Sequence, residues 1–106
     1  MDVRFVFTPN DRGNPPGKVA DVELHFGGGL LDGLKLIGFS IWEQRGGKGG
    51  LNVTMPARTY SINGERRSFA LLRPIVASAA SDWLREAIIA AWCEYEGKMV
   101  AASPAS

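Results

Sequence analysis

Apolar and polar residues alternate without a miss in "ADVELHF", residues 20–26, with Ala20, Val22, Leu24 and Phe26 on one side and Asp21, Glu23 and His25 on the other. A period of two belongs to a strand with one face in a core and one in water, and a helix with its 3.6-residue repeat cannot satisfy it. The same period puts Val3, Phe5 and Phe7 on one face near the start. It recurs in "LNVTM", where Leu51, Val53 and Met55 point inward and Asn52 and Thr54 outward. In "LKLIGFSIW", residues 34–42, Ile37, Phe39 and Ile41 share a face, while Leu36 and Trp42 lie opposite, the pattern of a strand covered on both sides or central in its sheet. A fifth extended run, residues 67–72, stops before Pro74.

The period then changes. Leu84, Ala87, Ile88, Ala91, Trp92 and Tyr95 recur at spacings of three and four, one stripe of a helix. Ser78 or Ser81 can cap its start, Asp82 suits the first turn, and Gly97 followed by Lys98 marks its end. The patterns predict an α+β domain, a mostly antiparallel five-stranded sheet with one C-terminal amphipathic helix packed on it. The domain takes residues 1–98, and residues 99–106 read as a flexible tail.

A chain of 106 residues supports one core without staples. Thirteen glycines and six prolines favour a turn-rich β-containing fold over a bundle. Cys93 stands alone, so no intrachain disulfide forms, which fits a reducing cytoplasm. No basic start followed by an apolar run opens the chain, and residues 87–93, the most apolar run, are too short for a bilayer. The expectation is a soluble cytoplasmic protein without a membrane partner.

The chain holds little that points to catalysis. His25 is the only histidine and faces solvent on its strand; Cys93 has neither a histidine near it in sequence nor an activating motif. Asp21 and Glu23 share a strand face, a spacing more typical of a solubilising surface than of an acid/base pair. "GGGLLDG" and "RGGKGG" precede strands, so neither offers the helix N-terminus of a phosphate-binding loop. Clustered metal ligands are missing. We expect no enzyme, no cofactor, no metal and no small-molecule substrate.

Charge is where the chain departs from the ordinary. Its net charge is only +1, yet Arg45, Lys48, Arg58, Arg66, Arg67 and Arg73 stand against Glu65 alone between residues 44 and 73. Such an asymmetry is the footprint that an anionic partner requires. Pro56 removes a backbone donor and lets the strand leave its sheet, so the following residues need not serve the core. The next segment carries the turn dipeptide Asn63-Gly64. Arginine's planar fork donates two bonds to one phosphate, and Tyr60 offers a ring on which a base can stack. Arg58, Arg66, Arg67 and Lys48, with Tyr60, are the candidate nucleic-acid-binding residues, and Arg73 and Arg45 extend the set.

Taken together, "MDVRFVF", "GKVADVEL", "GLNVTMPAR", "NGERR", "RPI" and "LREAIIAAWCEY" resemble, in order, the segments of the septation regulator family typified by stage V sporulation protein G (SpoVG). Asn52 stands where that family has an aromatic residue, and Arg73 where it has a histidine. The resemblance implies a small regulator that binds DNA or RNA and associates as a homodimer. The alternative is a protein-interaction module that recruits its partner through an open sheet edge or through Trp42 and Trp83.

Overall fold

The period-two segments become strands of two separate sheets. The computed structural model describes residues 2–44 and 50–102. In chain order they form β1 (Asp2–Pro9), β2 (Lys18–Gly27), β3 (Lys35–Glu43), β4 (Leu51–Thr54), β5 (Ala57–Ile62), β6 (Glu65–Ala70) and α1 (Ala79–Ala102). Strands β1 to β4 make an antiparallel meander in chain order, and β5 pairs only with β6. The α+β class, the antiparallel pairing and the single C-terminal helix agree with the sequence. The single five-stranded sheet does not: among the described residues there are six strands, divided four and two.

Pro56 is the reason for the division. A proline cannot donate to a ladder, so β4 ends after four residues and the chain turns away as a new hairpin. The Pro56 ring is buried against β3 at Gly38, where an added Cβ would lie 2.9 Å from the Pro56 Cβ. Gly38 has φ 107°, a conformation that disfavours a side chain. Here β3 holds one residue more than β2: Val22 faces Phe39 but Leu24 faces Leu36. This bulge corrects the expected inward set of β3. Leu36, not Ile37, packs with the core, and Ile37 is exposed.

One face of the four-stranded sheet carries the core. Ala20, Val22, Leu24, Phe39, Ile41 and Val53 meet Ile88 and Trp92 of α1, and Phe5, Phe7, Leu36, Leu51, Leu84 and Tyr95 surround them. The Phe7 ring stands edge-on to Trp92 at 5.4 Å between centroids and lies 5.3 Å from Tyr95. Such aromatic pairs add about 0.5–1.5 kcal/mol to their burial. Leu84, Ile88, Trp92 and Tyr95 form the helical stripe that the spacing predicts, but Ala87 falls outside it and is exposed. The helix also passes through Gly97, the expected stop, and runs on to Ala102. Gly97 keeps a negative φ there, and an exposed glycine costs a helix only about 1 kcal/mol relative to alanine.

No helix among the described residues is long and apolar enough to cross a membrane. The radius of gyration is 15.9 Å, against about 13 Å for a compact chain of this length.

Candidate nucleic-acid interface

The hairpin's geometry begins at its turn. Asn63 and Gly64 take φ 52° and 81°, the left-handed pair of a type I′ turn, whose twist matches that of two antiparallel strands. A two-residue turn fixes the register. Ile62 faces Glu65, Tyr60 faces Arg67 and Arg58 faces Phe69. These six residues share one face of the ribbon, and Ala57, Thr59, Ser61, Arg66, Ser68 and Ala70 share the other.

On the first face cations and rings alternate along each strand and across the pair. Tyr60 and Phe69 meet diagonally, 5.7 Å apart and inclined at 66°, and each stays more than a third exposed. Arg73, just past β6, donates from Nε to the Ala70 carbonyl at 3.0 Å and holds its guanidinium 5.6 Å from the centre of the Phe69 ring. Arg67 donates to Glu65 at 3.2 Å, but both side chains are well exposed, and such pairs contribute about 0–1 kcal/mol. Arg58 takes part in no ion pair among the described residues.

Of the sequence-predicted residues, then, Arg58, Tyr60, Arg67 and Arg73 gather around one face. Arg66 does not join them, because the second position of β6 points to the opposite side from Glu65, Arg67 and Phe69. Lys48 and Arg45 lie outside the described residues. Phe69 belongs to the face although composition and charge do not single it out. Its place was legible all the same: counting back from an Asn-Gly turn pairs it with Arg58.

The other face of the ribbon looks onto a groove of about 620 Å³ bounded by the outer edge of β4 and the first turns of α1. Arg85 pins that helix to β4, donating from Nε to the Val53 carbonyl and from Nη1 to Asp82, each at 3.3 Å. Arg73 also reaches the groove wall, so it links the two sides of the hairpin base.

The sheet face away from α1 is charged, and Asp21, Glu23 and His25 of β2 are paired on it. Lys18 and Asp21 pair at 2.6 Å, and Asp21 also accepts from the Ser40 hydroxyl. Glu23 accepts from Lys35 at 3.2 Å and lies 2.9 Å from the His25 ring nitrogen. The hydrogen bonds of His25 and Lys35 hold the Glu23 carboxyl below its ordinary pKa. His25 is half-buried by this arrangement, where the sequence had placed it in solvent. No group of three or more potential metal ligands is positioned for an ion among the described residues.

Comparison with protein-family models, with curated proteins and with solved structures found no match.

Proposed function

We propose that this protein is a SpoVG-like regulator that binds nucleic acid through the Arg58 face of the β5–β6 hairpin and works as a cytoplasmic homodimer, without catalysis of its own. The convergence of Arg58, Arg67 and Arg73 around two part-exposed rings carries the reading. A strand buried on one side must spend half its residues on a core, whereas this ribbon is exposed on both, so its side chains are available to a ligand. Guanidinium groups reach phosphates, and the intervening rings reach bases.

A second copy accounts for one run of exposed apolar residues. Leu71, Leu72, Ile75, Val76 and Trp83 cluster in sequence around the hairpin's return to α1, and Ile75 and Val76 are 99% and 95% exposed. The chain's surface is 8077 Å², while a compact monomer of 11.5 kDa has about 5,800 Å². The hairpin, exposed on both faces, and this apolar segment both contribute to the excess.

Two measurements test the reading. Titration with labelled DNA and RNA at several salt concentrations should give a log–log slope of about −0.7 to −0.9 per phosphate contacted. Binding that ignores salt favours the interaction-module alternative. Sedimentation equilibrium should report a dimer that Ile75→Glu converts to a monomer; a monomeric parent protein removes the dimer from the proposal.

A further inference from the structure

Resting on the nucleic-acid reading, we infer that the hairpin selects single strands with splayed bases over duplexes. The spacing of its rings is the reason. Tyr60 and Phe69 stand on opposite strands with their rings 5.7 Å apart between centroids and inclined at 66°. Bases stacked in a duplex follow one another at about 3.4 Å along each strand. A paired, stacked helix therefore cannot present one base to each of two rings on this ribbon, and in any case offers only base edges to its grooves. An unstacked strand can present ring faces, and this is how sheet-borne aromatics hold single-stranded RNA and DNA.

The neighbours of the rings fit the same ligand. Tyr60 has Arg67 directly across the ribbon and Phe69 has Arg58, so each ring-bearing position pairs with an arginine. A base on either ring brings its flanking phosphate toward an arginine. Arg73 already lies by the Phe69 ring, which adds a third cation at the end of the track. Both rings are reachable, at 37% and 38% exposure. Tyr60 and Phe69 become the residues that decide strand form, and the arginines supply attraction common to every polyanion.

The test uses the full chain with short oligo(dT) and oligo(rU) strands and a duplex of equal length, by fluorescence anisotropy at one salt concentration. Tyr60→Leu and Phe69→Leu keep apolar bulk while removing the ring. The expected result is tighter binding of the single strands, weakened about tenfold by either substitution, with duplex binding unmoved. Ultraviolet cross-linking of the unaltered protein to oligo(dU) should place the adduct on Tyr60 or Phe69, which covers the case of a variant that does not fold. Duplex binding as tight as single-strand binding, or leucine variants that bind single strands normally, overturns the inference and leaves the arginine reading intact. If neither form binds at low salt, both fall.

Discussion

The two sheets obey the same alternation and use it differently. In β2, every second residue from Ala20 to Leu24 is no more than 5% exposed beneath α1, and the residues between them pair their charges on the far side. In β5 and β6 only Ala70 is even half-buried. A strand's period places side chains on faces; it does not say what lies opposite. Where the opposite layer is a helix, the apolar set is a core. Where it is solvent, the same geometry leaves a row of side chains free for a ligand. An isolated two-stranded hairpin is marginal in water, and this one is held at its root by the Leu71 amide donating to the Pro56 carbonyl at 2.8 Å.

Substitutions in the two sheets should separate into those that unfold the protein and those that spare it. The largest effect is expected in the core. Phe39→Ala should cost about 3–5 kcal/mol and Ile88→Ala about 2–5 kcal/mol in urea unfolding, whereas Arg58→Ala should stay within about 0.5 kcal/mol of the parent. Comparable losses in the two regions would dissolve the contrast.

The joint between the sheets comes next. Gly38→Ala adds a Cβ at a positive φ and against buried Pro56, with an expected loss of about 1–3 kcal/mol in thermal or urea unfolding. A neutral result would mean that the bulge and the proline are not mutually fitted.

Within the hairpin, replacing Arg58 and Arg67 together by alanine should flatten the salt dependence of oligo(dT) binding by about 1.4, two phosphate contacts' worth, with melting temperature unchanged. Arg66→Ala should weaken binding less than Arg67→Ala, since the two side chains lie on opposite faces. Equal losses would show that the ligand wraps the ribbon rather than lying on one side.

The smallest effect concerns the matched charges of the four-stranded sheet. Because His25 and Lys35 lower the pKa of Glu23, the folded state binds that proton less readily than the unfolded chain. Stability from this cluster is therefore present above the ordinary carboxylate pKa and is lost as pH falls through the lowered value. Melting curves between about pH 6 and pH 3 should show a shallower acid decline for Glu23→Gln than for the parent. An identical decline would remove the cluster from the acid response.

Much of the fold was legible in the residues. The alternation in β1, β2 and β4 and the three-and-four spacing of Leu84, Ile88, Trp92 and Tyr95 located both partners of the core. The β5 strand was harder to see, because "ARTYSI" has no apolar face to bury and periodicity reports burial rather than extension. The Asn-Gly turn did contain the answer, since a hairpin turn requires a strand on each side. From that count follow the union of Arg58, Tyr60, Arg67 and Phe69 and the separation of Arg66.

Sequence alone determined the α+β class, the end of β4 at Pro56 and the local excess of cations, because each depends on periodicity, on one missing amide or on composition. Only the tertiary structure decided that Pro56 would be buried against Gly38, that Leu36 would replace Ile37 in the core, and that Arg73 would reach the Phe69 ring. Those outcomes depend on contacts between segments far apart in the chain or across an irregular bulge, where the next residue's direction is set by what it meets and not by its position in a repeat.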